Sequence, residues 1–224
     1  MTARGAATAR LLFQAGAVIL SRDRPFILAA GWASPVYVDC RRLIGRADWA
    51  RAITDLAIAA IAERPGLDRF DLIAGAETAG IAFAAWIAAR LDRGMRYVRK
   101  RPLGIGRHAQ VEGGDVAGAR VLLIDDLATD AASKEAFARG LRAAGAVVTD
   151  TMVIFAHGTF PGTNARLDRL GLALHALATW PDMLALAAAE PGWLTPEERA
   201  RIEAFQADPI RWSATHGGRA EPGR

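Results

Sequence analysis

The chain has 224 residues, a 52% hydrophobic fraction and a formal charge of +4, which suits one α/β domain with appendages and excludes the disordered class. Its single cysteine, Cys40, excludes an internal disulfide and a cysteine-cluster metal site, and fits a reducing cytoplasm. Only Lys100 and Lys134 among the 28 basic residues are lysine; the bases lie dispersed among acids except around Arg90 to His108, which argues against a nucleic-acid-binding stripe.

Residues 1–45 predict an N-terminal helix and a strand-turn piece. The apolar stretch Ala6 to Leu20 is too short for a membrane span, and Arg10 and Gln14 interrupt it, so it reads as an amphipathic helix packed on the domain. Asp71 to Ala76 predicts a short buried strand, leading through the turn Glu77-Thr78-Ala79-Gly80 into a helix that ends near Arg90. Met95 to Lys100 predicts the next strand. Residues 101–115 contain Pro102 and four glycines with little apolar periodicity; this is expected to be a long flexible loop, and such loops usually carry function.

Arg120 to Asp126 is the clearest strand, because Val121-Leu-Leu-Ile124 is a continuous branched run of the kind a central parallel strand needs. A helix from Ala132 to Ala144 follows, with Phe137 and Leu141 one turn apart and a stop at Gly145, then a strand from Val147 to Phe155. Alternating strands and helices predict a doubly wound, mostly parallel α/β sheet flanked by helices, with ligand at the carboxyl ends of its strands. Residues 165–208 read as mainly helical, including the capped start Thr195-Pro-Glu-Glu198, with Arg201 on the helix surface one turn from Glu197 and Glu198. The Gly/Pro/Arg-rich tail from Thr215 is expected to be disordered. The organisation expected is a hood segment at 1–45, a core at 46–164, a C-terminal helical segment at 165–213 and a tail at 214–224.

The stretch from Val121 to Ser133 carries the chemistry. Two carboxylates, Asp125 and Asp126, end a strand just before a hydroxyl and a helix start. A helix N-terminus offers free N–H groups and the positive end of the macrodipole, which is a phosphate site. The acids would repel a phosphate, and instead suit ribose hydroxyls or a Mg²⁺ holding a diphosphate. Phosphoribosyl diphosphate has all of these features. The mundane alternative is that the pair caps the strand and the next helix.

This stretch resembles the phosphoribosyl-diphosphate-binding motif of type I phosphoribosyltransferases: four branched residues, two acids, a Thr three residues later, a small pair and Ser133. Three further stretches resemble orotate phosphoribosyltransferases in particular. They are Phe26 to Asp39, the turn Glu77-Thr-Ala-Gly-Ile81, and Tyr97-Val-Arg-Lys100 with its loop ending Val111-Glu-Gly113. The four run in family order from about residue 26 to 161. The resemblance implies transfer of ribose 5-phosphate from phosphoribosyl diphosphate to orotate in pyrimidine biosynthesis. It implies Asp125 and Asp126 at the ribose hydroxyls and metal, and Leu127, Ala128, Thr129, Asp130, Ala131, Ala132 and Ser133 as the phosphate loop. Glu77 and Thr78 would contact the diphosphate, and Arg99, Lys100 and Arg107 would supply cations, with Arg99 and Lys100 catalytic alongside the acids. Mg²⁺ would arrive with the donor rather than at a metal site of the protein. The resemblance also implies a cytoplasmic homodimer whose 101–115 loop reaches the neighbouring site, with neither nucleic acid nor membrane as partner.

Several positions depart from the family pattern. Ala131 and Ala132 stand where glycine is usual; alanine costs about 1–2 kcal/mol at each if left-handed, and almost nothing if helical. Leu103 occupies the place of a lysine, Ile105 that of a histidine, and Ala156-His157-Gly-Thr-Phe160 lacks an arginine used for the orotate carboxylate. Arg101 and Arg107 are candidate substitutes on the same loop. Trp32, Tyr37 and Trp49 read as hood or interface packing, His108 as solvated and His157 as structural. These departures keep open a catalytically impaired paralogue that binds the donor or a nucleotide, and a phosphoribosyltransferase for another base.

Overall fold

The computed structural model describes residues 1–102 and 110–221. Leu103, Ile105, Arg107 and His108 therefore lie outside the described residues.

The chain opens with helix α1 (Ala3–Gln14), whose start is capped by the Thr2 hydroxyl. Strands β1 (Val18–Leu20), β2 (Phe26–Ile27), β3 (Ala33–Ser34) and β4 (Val36–Val38) follow, so the apolar stretch to Leu20 is a helix and then a strand rather than one helix. β1 pairs with β4 and β2 with β3, both antiparallel, to make the hood. Helix α2 (Ala47–Glu63) leads to β5 (Leu72–Ala76), α3 (Ala79–Arg90), β6 (Gly94–Val98) and β7 (Val111–Glu112). β8 (Arg120–Ala128), α4 (Ala132–Ala143), β9 (Val147–Ala156), α5 (Thr163–Leu170), β10 (Ala173–Thr179), α6 (Trp180–Ala189), α7 (Pro196–Ala207) and α8 (Pro209–Thr215) complete the chain.

Six strands form the main sheet in the order β10-β9-β8-β5-β6-β7, parallel except for β7. From β5 the chain passes through α3 to one side, and from β8 through α4 to the other. The boundary between β5 and β8 is thus the topological switch point, where doubly wound sheets bind ligands. Alternation along the strands sorts side chains to two faces. Ile73, Leu122, Ile124, Met152 and Ile154 pack against α1, α2, α3 and α6, whereas Ala74, Val121 and Leu123 pack against α4 and its Phe137 and Leu141.

Several expectations need correction. Residues 165–213 are not simply helical: β10 pairs in parallel with β9 and extends the sheet past residue 164. The 101–115 stretch is not loop throughout, because Val111 and Glu112 return to pair with Val98 and Tyr97. The tail is ordered as far as Arg219, which donates its backbone N–H to the Gly31 carbonyl at 2.9 Å and a guanidinium N–H to that of Ala30 at 2.9 Å. Arg201 leaves its helical neighbours and donates to the Ser21 carbonyl at 2.8 Å and hydroxyl at 2.9 Å, while Glu198 closes the capping box with Thr195. No described helix is long and apolar enough to cross a membrane.

Candidate active site

The site grows from two glycines at the switch point. Gly75 on β5 lies opposite Ile124 on β8, and α3 starts almost on top of both strands. A Cβ on Gly80 would stand 2.3 Å from the Ile124 carbonyl oxygen and 3.0 Å from the Asp125 Cα, so only glycine lets the helix approach this closely. The Glu77-Thr78 turn, which contains a cis peptide, is thereby held beside the acid pair.

β8 continues to Ala128, so Asp125 and Asp126 fall within its last turnless residues rather than at its end. Asp125 is 6% exposed and engaged on both oxygens. Its Oδ1 accepts the Asp126 N–H at 2.9 Å and its Oδ2 lies 2.5 Å from the Lys134 ammonium. Asp126 is half-buried; burial first, and the neighbouring Asp125 second, push its carboxyl up to about 7, against the pull of Lys134.

Beyond the strand the phosphate loop turns through Ala131, whose φ of 60° and ψ of 12° are left-handed. Ala132 is already the first residue of α4. The alanine penalty thus applies at one of the two positions and not at the other. Asp130 is buried, with Oδ1 accepting the Ala132 N–H at 3.1 Å and Oδ2 3.7 Å from Arg166. Its carboxylate shapes the loop from within.

Across the switch point, Glu77 accepts the Lys100 backbone N–H at 2.9 Å. Arg99 reaches the Glu112 carboxylate at 3.1 Å, the Tyr97 hydroxyl at 3.1 Å and, at 3.5 Å, Glu77. These elements enclose a cavity of about 350 Å³. Of the residues expected at the site, Glu77, Thr78, Lys100, Asp125, Asp126, Leu127, Thr129 and Ser133 line it. Arg99, Ala128, Asp130, Ala131 and Ala132 are not on its wall, and Arg107 lies outside the described residues.

The hood closes the opposite side with Leu28, Ala29, Tyr37 and Arg41. Tyr37, read from the sequence as packing, lines the cavity. Arg41 was not singled out, although it stands two residues beyond the Phe26–Asp39 motif. It is aimed by Asp39 at 2.6 Å and by the Tyr37 hydroxyl at 3.2 Å. Lys134 was also missed as a site residue; its rarity in an arginine-rich chain was the one available signal. His157 is buried, accepts a hydrogen bond from the Trp180 indole at 3.1 Å and is held near pKa 3 by burial, which makes it structural.

The arrangement offers an anion site at a helix N-terminus, a half-buried carboxylate for hydroxyls or a hydrated cation, and an exposed lysine, in a cleft with an apolar hood. No protein-family model matches the chain. It is 44% identical over 213 residues to an orotate phosphoribosyltransferase of Rhizobium rhizogenes, covering 95% of this chain and 91% of that protein. An orotate phosphoribosyltransferase of Dinoroseobacter shibae is 44% identical over 209 residues, covering 93% and 92%. Among solved structures, the orotate phosphoribosyltransferase of Aeropyrum pernix superposes with a TM-score of 0.68 at 31% identity, covering 81% of this chain and 99% of that one.

Proposed function

The chain belongs to the orotate phosphoribosyltransferase family, and on that premise we propose that it transfers ribose 5-phosphate from phosphoribosyl diphosphate to orotate. A C–N bond forms between orotate N1 and C1 of the ribose as the C–O bond to diphosphate breaks and the N1 proton passes to the released diphosphate, giving orotidine 5′-monophosphate. The observation that carries this reading is the meeting of the acid pair, the phosphate loop and the Glu77 turn around one cavity at the switch point.

The 5′-phosphate belongs at Thr129 and Ser133, against the α4 N-terminus. Asp126 accepts from the ribose hydroxyls. Mg²⁺ enters with the diphosphate, which supplies oxygen ligands alongside water, so one protein carboxylate suffices to hold the ion or its waters. Negative charge grows on the departing diphosphate, and Lys100 beside the Glu77 turn is the cation placed to meet it. Orotate lies under Leu28, Ala29 and Tyr37, with Arg41 as the cation on the base side. Arg99 stands off the cavity wall of its own chain, the placement expected of a residue that serves a neighbouring copy in a homodimer. Free, buried Cys40 fits a cytoplasmic setting.

The left-handed alanine at 131, together with Leu103, favours a second reading: an impaired paralogue that binds the donor without efficient turnover. Mixing the protein with Mg²⁺, phosphoribosyl diphosphate and orotate separates the two. Falling orotate absorbance supports the transferase; heat stabilisation by the donor without turnover supports the paralogue; neither response refutes both.

A further inference from the structure

Lys134 is a buried cation in an unusual place. It sits in the first turn of α4, at the positive end of the helix dipole, where a positive charge is disfavoured. Its side chain is 1% exposed, and lysine is almost never buried so completely unless paired. Its ammonium group lies 2.5 Å from the Asp125 carboxylate, donates to the Leu127 carbonyl and stands 3.3 Å from the Ser133 hydroxyl. Three acceptors match its three N–H donors. They also come from three different parts of the site: the acid pair, the end of β8 and the start of the helix.

The charge pattern gives this contact a use. Two adjacent carboxylates beside a phosphate site would oppose the anion that the helix N-terminus attracts. With Lys134 in place, Asp125 is neutralised from below and both its oxygens are occupied. Asp126, more exposed than Asp125, is the freer of the two carboxylates on the cavity wall, and the Ser133 hydroxyl and Leu127 carbonyl are fixed relative to the pair.

We propose that Lys134 is a positioning residue for the phosphoribosyl donor: it screens Asp125 from the phosphate and locks the loop that receives it. The proposal rests on the donor site assigned above, but not on turnover. Lys134 is not on the cavity wall and sits on the side of the phosphate loop, opposite Leu28, Ala29 and Tyr37, so its effect falls on the donor.

The test is calorimetric titration of Mg²⁺-phosphoribosyl diphosphate into the wild-type chain, Lys134→Gln, Lys134→Met and Lys134→Arg, with steady-state KM for each substrate beside it. Lys134→Gln unmasks the Asp125 charge, and the expected result is donor binding weaker by about tenfold or more with the KM for orotate within about twofold. Lys134→Arg keeps the cation, and its donor affinity should lie closer to wild type than that of Lys134→Gln. If Lys134 merely holds the fold, Lys134→Gln lowers the melting temperature and leaves donor affinity within about twofold of wild type; that result overturns the proposal. So does a Lys134→Arg protein that binds no better than Lys134→Gln. Should Lys134→Gln fail to fold, Lys134→Met decides: a tenfold loss of donor affinity supports the screening role, and binding within about threefold of wild type refutes it. Wild type that binds the donor but leaves orotate unconsumed would refute the proposed activity and leave this comparison intact.

Discussion

Replacing Gly80 by alanine tests whether the close approach of α3 to β8 positions the site. The added Cβ would stand 2.3 Å from the Ile124 carbonyl oxygen, a backbone atom that cannot rotate aside. Ordinary contact begins at about 3.4 Å, so helix and strand must separate by roughly 1 Å. Overpacking of this kind costs about 1–3 kcal/mol, and the better helix propensity of alanine returns about 1 kcal/mol. The net loss of stability is therefore about 0–2 kcal/mol, small enough for the protein to stay folded. Function should suffer more, because the shift moves the Glu77 turn relative to Asp125 and Asp126. A 1 Å misplacement in such a constellation costs about 10²-fold in kcat/KM. Urea unfolding gives the first quantity and the decline of orotate absorbance the second. Gly45 provides the control, since a Cβ there would meet nothing within 4 Å. A Gly80→Ala protein as stable as wild type, with kcat/KM within about threefold, would refute the reasoning.

The two alanines of the phosphate loop should separate cleanly. Ala131→Gly relieves a left-handed residue worth about 1–2 kcal/mol but loses a buried methyl and gains backbone entropy in the unfolded chain, so its stability should stay within about 0.5 kcal/mol of wild type. Ala132→Gly, in a helix, should lose up to about 1 kcal/mol; equal urea midpoints for the pair would contradict the assignment. His157 has its folded pKa lowered to about 3, below an unfolded value of about 6.5. The unfolded chain therefore binds the extra proton, and stability should fall as pH drops from about 6.5 towards 3, by up to about 1.4 kcal/mol per pH unit. His157→Gln should lose that component of acid sensitivity, seen as a smaller shift in urea midpoint between pH 7 and pH 5. Arg219→Ala removes the guanidinium that donates to the Ala30 carbonyl, next to Ala29 on the cavity wall, and keeps the backbone bond to Gly31. It should raise the KM for orotate severalfold, from a bond worth about 1.5–3 kcal/mol, with the donor KM unchanged; an equal rise in both would show that the tail does not act on the base wall.

The sequence alone determined the central βαβ units and the ligand class. Val121 to Ser133 is contiguous: branched run, acid pair, hydroxyl and helix start follow one another, so both fold and phosphate chemistry are local properties of about a dozen residues. The Glu77 turn and the Phe26–Asp39 stretch were legible for the same reason. What tertiary structure decided depends on partners distant in the chain. Ala173-Leu-His-Ala-Leu-Ala-Thr179 has the alanine and leucine content of a helix, and becomes a strand because β9 supplies a parallel partner along its length. Arg201 abandons glutamates one turn away for Ser21, 180 positions earlier in the chain, because the hood brings those acceptors within reach. The tail is ordered by Gly31, Ala30 and Trp32, none of them near it in sequence. Ala131 and Ala132 are chemically identical, and only the path from β8 into α4 makes the first left-handed and the second helical. In the same way composition marked Lys134 as rare, but only burial beneath Asp125 turned it into part of the donor site, since a charge takes its meaning from what surrounds it rather than from its place in the chain.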